Sequence, residues 1–299
     1  MDNKNNLKVS CLGSVYYGSN LNELKLSIDS LLNSEEGPDE IVIVIDGKIN
    51  SQIIRYLEEI KNNNLIKTIS SKNNLGLGPA LNLGLKICKY DLICRFDTDD
   101  ISLNNRIKIS KKAFRDNSNL DIFGGSIIEF IDSSKDLVQC NIKSVPLNDS
   151  LIKFALNYRN SINHPTVVFK KKSINRLGNY ENLRFFEDYH LWLKAKKNNL
   201  IFENTSTPLV LMKRMSHTER REGFKYAKYE LNFLKKSIQQ KLLNPMSFII
   251  FSIRIISRLI PSKFQIFYSL LPWRDNYKKC LNPINMKKFS LKKLKINNN

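Results

Sequence analysis

The chain has 299 residues, 42% of them apolar and 25% charged, which supports a sizeable core and excludes wholesale disorder. Its formal charge of +20 is unevenly placed: 20 Lys/Arg face 4 Asp/Glu from Lys213 onward, whereas the preceding residues are almost balanced. Five scattered cysteines (Cys11, Cys88, Cys94, Cys140 and Cys280), odd in number and without CxxC spacing, exclude a disulfide framework or a zinc site and read as reduced, mostly buried thiols.

The first six residues lack the apolar core of a secretory signal, so the protein is expected to stay in the cytoplasm. Residues 7–15 read as a strand, and 21–32 carry Leu21, Leu24, Ile28, Leu31 and Leu32 at helical spacing. After Gly37-Pro38 the continuous apolar run 41–45 reads as a strand buried on both faces, as in a parallel sheet. Residues 52–62 are expected to be helical, 66–69 a short strand, 79–89 a helix with Pro79 at its start, and 91–96 a strand. This alternation predicts an α/β fold with an open, mostly parallel sheet, whose ligands sit outside the carboxyl ends of the strands.

A helix is expected over 104–117, strands over 122–131, 166–169 and 207–212, and a helix over 186–197. From 219 to 271 the pattern is helical and basic, so the chain divides into a domain of residues 1–215 and a basic helical C-terminal extension, 216–299. Within the extension, 248–260 is strongly apolar but interrupted by Arg254 and Arg258, and is too short to span a bilayer. It suits a membrane interface with its arginines at the headgroups, or alternatively a helix packed on the main domain. The residues after Trp273 are expected to fray.

The strongest chemical signal is Asp97-Thr98-Asp99-Asp100, placed at the end of a central strand. Three carboxylates in four residues repel one another unless a counter-charge joins them, and a hard divalent cation is the natural one for Asp97 and Asp99. The same four residues also suit a solvated turn that caps the next helix. Asp46-Gly47 ends the most apolar strand, where a carboxylate can accept hydrogen bonds from a base or ribose, or form an ordinary turn. The loop 73–80 (Asn73-Asn74-Leu75-Gly76-Leu77-Gly78-Pro79-Ala80) feeds a helix N-terminus suited to an anion. It does not follow the first strand, which argues against a hydride-transfer enzyme. In Phe186-Glu187-Asp188-Tyr189 the acids either cap a helix or supply a general base, with Trp192 available to pack on a ring. His164 reads as a hydrogen-bonded structural residue, and His217 as a minor candidate for a further metal ligand.

Taken in order, Val9 to Tyr16, Pro38 to Gly47, Asn74 to Asn82, Arg95 to Asp100, Asn163-His164-Pro165-Thr166-Val167 and Phe186 to Trp192 resemble the family-2 glycosyltransferases of the GT-A fold. Within them the chain is similar to the bacterial branch that includes the amylovoran-biosynthesis enzymes. The resemblance implies inverting transfer of a sugar from a nucleotide donor, with a UDP-sugar expected, to an acceptor hydroxyl. It implies Asp188 as catalytic base supported by Glu187, and Asp97 and Asp99 as ligands of Mn²⁺ or Mg²⁺. Ser14, Tyr16, Asp46, Asn74, Gly76, Arg95, Asp97 and Thr98 would line the nucleotide-sugar site.

The basic extension then suits the anionic cytoplasmic face of the inner membrane, where a lipid-linked saccharide acceptor for capsule, exopolysaccharide or O-antigen would be met. Charge alone also suits a nucleic-acid-binding protein, but the basic region has no helix-turn-helix or zinc-finger pattern, and no nucleic-acid partner is expected. A catalytically inactive GT-A scaffold is the third reading.

Overall fold

The computed structural model describes residues 7–131, 139–213 and 223–259. Its first half is β1 (Val9–Val15), α1 (Leu21–Leu32), β2 (Glu40–Asp46), α2 (Ser51–Ile60), β3 (Ile66–Ser71), α3 (Leu77–Ile87) and β4 (Leu92–Arg95). These strands lie in the order β3-β2-β1-β4, all parallel. The apolar run in β2 is divided by strand periodicity: Ile41 and Ile43 enter one core, with α1 and α2, and Val42 and Val44 enter the other, with α3. Helix α3 begins at Leu77, two residues before the expected Pro79, which sits in the first turn, where its missing N–H leaves no hydrogen bond unmade.

The second half is less regular. It comprises β5 (Ile101–Ser102), α4 (Arg106–Asp116), β6 (Ile122–Ile131), β7 (Gln139–Lys143), α5 (Asp149–Ala155), a 3-10 turn at His164–Thr166, β8 (Val168–Lys170), α6 (Lys171–Arg176), α7 (Glu187–Lys197) and β9 (Phe202–Lys213). The sheet continues β4-β8-β6-β9-β5, with β7 on β6. Strand β8 is antiparallel to β4 and β6, while β9 runs parallel to β6 through a bulge near Gly125 and Ser126. Strand β9 starts five residues before the expected run because Glu203, Asn204 and Thr205 hide its pattern. Cys11, Cys88 and Cys94 are free and buried, as expected.

Two further helices, α8 (Gly223–Gln239) and α9 (Pro245–Leu259), pack on α7. Phe233 stacks on Phe186 and Tyr189, at 4.9 and 5.3 Å between ring centroids, and meets Phe251 edge-on at 5.3 Å. The interface reading of 248–260 is corrected in one respect. Arg254 and Arg258 do not face outward but ion-pair with Glu230 of α8 at 3.0 and 3.4 Å, and Glu230 is fully buried. A shared buried carboxylate gives the two cations a counter-charge that headgroups were expected to provide. Among the described residues no helix is long and apolar enough to cross a membrane.

Candidate active site

In the strand order β3-β2-β1-β4 the chain reverses its direction of travel at β1, so the crevice beyond the carboxyl ends of β1 and β4 is a topological switch point. Ser14 and Tyr16 leave β1 there, and Arg95 to Asp100 leave β4. The Thr98 hydroxyl donates to the Ser14 carbonyl at 3.2 Å, and the Ser27 hydroxyl of α1 donates to the Asp97 carbonyl at 2.9 Å. These bonds hold the acidic turn against the neighbouring strand end. Tyr16 is half exposed at the rim, where its N–H donates to Ser19 Oγ at 3.0 Å.

The ligand oxygens of Asp97, Asp99 and Asp100 lie within 4.8 Å of one another. Asp100 was not among the expected metal ligands and is buried, whereas Asp99 is exposed at the rim. Desolvation, then the charge of Asp97, pushes Asp99 up to about 6; burial, with both neighbours, pushes Asp100 well above the usual carboxylate range. Three crowded hard-oxygen donors of this kind fit a divalent cation, which would relieve their repulsion.

Arg95, expected among the donor contacts, is only 2% exposed, and both its terminal nitrogens hydrogen-bond the Asp97 carboxylate. Against the cost of burial, Asp97 raises the pKa of the guanidinium and keeps it charged. Arg106, which sequence reasoning did not single out, supports this pair from below: it donates to the Arg95 carbonyl and to Ser102 Oγ, the latter at 2.9 Å.

Asp46 closes the crevice from β2. Its two carboxylate oxygens accept the Leu75 and Gly76 amides at 2.7 and 3.0 Å, and Asn74 Nδ2 donates to its carbonyl at 3.3 Å. The carboxylate thus latches the loop that starts α3. Gly47 (φ +79°) is required here, since a Cβ would lie 2.7 Å from the Asn74 backbone nitrogen.

The opposite wall is the start of α7. Phe185, at φ +69°, turns the chain so that Glu187 and Asp188 form the first turn of the helix, where its dipole favours acids. Asp188 is half-buried; its Oδ2 accepts Asn160 Nδ2 at 2.7 Å and its Oδ1 accepts the Tyr189 amide at 2.7 Å. Glu187 is buried, and desolvation, followed by repulsion from Asp188, raises its pKa to about 8. A Cβ at Gly78 would lie 3.2 Å from Glu187 Cβ, so the first turn of α3, whose leading loop Asp46 latches, sits against the start of α7.

Tyr180 and His164 fill the floor, with Tyr180 Oη 3.0 Å from His164 Nε2. Burial, then the Arg95 cation, holds His164 well below its usual pKa, so it is neutral and structural, as expected. Asn82 of α3 pairs reciprocally with the Tyr180 backbone at 2.8 and 3.0 Å. Asn160 and Tyr180 escaped sequence reasoning because they lie in irregular segments; the polar run Asn160-Ser161 ahead of Asn163 was the only hint. Trp192 corrects an expectation: it is fully buried, edge-on to His164 at 6.2 Å, and so belongs to the core and reaches no sugar. His217 lies outside the described residues.

Comparison with known proteins accords with this geometry. The sequence profile described as Glycosyl transferase family 2 matches residues 15–181. An Escherichia coli UDP-Gal:alpha-D-GlcNAc-diphosphoundecaprenol beta-1,3-galactosyltransferase is 35% identical over 260 residues, covering 86% of this chain and 94% of its own. The amylovoran biosynthesis glycosyltransferase AmsE of Erwinia amylovora is 30% identical over 258 residues, covering 85% and 95%. Among solved structures, Staphylococcus aureus TarS 1-349 in complex with UDP-GlcNAc superposes with a TM-score of 0.60 at 14% identity, over 92% of this chain and 79% of that one. At that identity the likeness speaks to the fold, which is the expected GT-A arrangement.

Proposed function

The chain belongs to glycosyl transferase family 2 and is a glycosyltransferase; from that premise we propose that it transfers a sugar, with inversion, from a nucleotide donor to a hydroxyl of a lipid-linked saccharide. The observation that carries this reading is the pairing of two acidic walls: Asp97, Asp99 and Asp100 at the end of β4, and Glu187 with Asp188 across the cleft at the start of α7. UDP is the proposed nucleotide, in line with the UDP-Gal named for the E. coli relative. Surface-polysaccharide assembly (capsule, exopolysaccharide or O-antigen) is the proposed setting, in line with the named activities of the relatives.

In this mechanism the donor lies in the switch-point crevice, between the Ser14–Tyr16 edge and the loop that Asp46 latches. Asp97 and Asp99 would hold Mn²⁺ or Mg²⁺, with Asp100 beside them, and a bound ion supplies charge neutralisation for the departing nucleoside diphosphate. Asp188 takes the proton of the acceptor hydroxyl as its oxygen attacks the anomeric carbon from the face opposite the leaving group. Asn160 and the Tyr189 amide hold the carboxylate in one orientation for that step. Glu187, with a pKa of about 8, is protonated at neutral pH and leaves Asp188 without a second anion at its side. Arg95 balances Asp97 in the resting site. The basic C-terminal third docks the enzyme on an anionic cytoplasmic leaflet, and nucleic acid has no part in the reaction.

Calorimetric titration of the purified chain with UDP, GDP and CDP, each with and without Mn²⁺, tests the donor half of this reading. Metal-dependent binding of one nucleotide is expected, with UDP the first choice. Equal binding with and without metal would remove Asp97 and Asp99 from the role assigned to them, and no binding of any nucleotide would point to a scaffold.

A further inference from the structure

Helix α8 buries Tyr226, Ala227, Glu230, Phe233, Leu234 and Ser237 against the domain. Its outer face carries Phe224, Leu231 and Ile238, which are 78%, 53% and 46% exposed, with Lys228 and Lys235 between them. At 3.6 residues per turn these five fall within an arc of about 80° along roughly 21 Å of helix. Single exposed apolar side chains are ordinary, but three at seven-residue intervals, each separated from the next by a lysine, form a continuous stripe. Helix α9 adds exposed Met246, Ile249 and Ile256. Glu230 is the one acid between Gly223 and Leu259, and it is buried against Arg254 and Arg258, so the outer surface of the pair carries no anion.

We propose that the Phe224–Lys228–Leu231–Lys235–Ile238 stripe is the surface that lies in an anionic lipid interface. The proposal rests on the proposed function for a lipid-linked acceptor and an anionic leaflet, and names the surface that would meet them. The pattern fits such an interface physically: apolar side chains enter the acyl boundary while lysine stems reach back to phosphates at one depth along the helix. A second copy of this chain is a poorer occupant, because pairing the stripe with itself would bring Lys228 and Lys235 against like charges with no acid to offset them. The arginines expected at the headgroups are turned inward, so the contact moves from α9 to the lysine-bearing face of α8.

The test is flotation of the full chain with phosphatidylcholine vesicles, with and without phosphatidylglycerol. Wild type is expected to bind the anionic vesicles. Lys228→Glu with Lys235→Glu should weaken partition by about tenfold or more, taking each lysine at roughly 1 kcal/mol near a charged surface. Phe224→Asp with Leu231→Asp and Ile238→Asp should abolish it, and Leu231→Asp alone guards against a folding defect in the triple variant. Arg55→Glu on α2 with Lys61→Glu at its C-cap, both exposed, makes the same charge change elsewhere and should leave binding intact. Stripe variants that float like wild type would overturn the proposal. So would a wild type that ignores phosphatidylglycerol, or one that is a dimer which the stripe variants convert to monomers. Nucleotide binding, measured in parallel without vesicles, separates the two readings: its loss in every protein with stripe-dependent flotation intact would sink the reaction and leave the docking surface standing.

Discussion

On the β1–β4 side of the cleft, the residues proposed to hold the donor leave the ends of parallel strands, with Arg95 beside them on the Asp97 carboxylate. On the α7 side, the Asp188 carboxylate is held by Asn160, 28 residues away in sequence, and by the adjacent Tyr189 amide. The first wall is aligned by neighbouring parallel strands, and the second by a helix start whose acid is held from an irregular segment. A donor diphosphate needs charge in a fixed place, which strand ends provide. A proton transfer needs one carboxylate oriented to a fraction of an ångström, which calls for hydrogen bonds from several directions.

Asp188→Asn should break the second wall most completely, with a fall in transfer of about a thousandfold or more and donor binding essentially unchanged by calorimetry. Equal activity of this variant and wild type would remove Asp188 as the base. Asp99→Ala should act on the first wall instead, reducing metal-dependent donor affinity by about 10- to 100-fold, read as loss of the Mn²⁺ effect in the same titration. Asn160→Ala should lower kcat by roughly tenfold with little change in donor KM, because Asp188 stays in place but loses one orienting bond. A change confined to KM would assign Asn160 to substrate binding.

Smaller effects sharpen how the walls meet. A Cβ at Gly78 would lie 2.8 Å from the Glu181 carbonyl and 3.2 Å from Glu187 Cβ, so Gly78→Ala should cost about 1–3 kcal/mol in denaturant melts by pushing α3 from α7. The smallest effect concerns pH. The folded state raises Glu187 from 4.5 to about 8, so its stabilising share is complete below about 4.5 and is lost as pH rises toward 8. Glu187→Gln should flatten that alkaline decline in thermal melts, partially rather than wholly, since Asp99 and Asp100 are raised in the same direction.

The contrast between the walls also explains what could be read from sequence. The run 41–45 announces a two-faced buried strand because period-2 alternation and the demand for two cores leave few other choices. The aspartates at 97–100 are legible for the same reason, since a strand must end where its apolar residues stop. Asn160 and Tyr180 have no period, and their partners lie in other segments. Arg254 and Arg258 misled because a one-turn spacing suits headgroups and a buried carboxylate equally well. The deciding residue, Glu230, sits a helix away. Trp192 misled in a similar way: an aromatic four residues after Asp188 can serve a ligand ring or a core, and its burial against His164 decides for the core.

The claw that Arg254 and Arg258 close on Glu230 also limits where the chain can be cut. Ending the chain after β9 would leave the Phe186–Tyr189 surface without its cover, and ending it after Gln239 would leave Glu230 without its two cations. A buried anion stripped of its cations costs about 3–5 kcal/mol, a large share of the stability of an ordinary domain. The smallest piece expected to fold as this domain therefore runs through α9, and α8 and α9 are as much a part of its body as the strands that carry the aspartates.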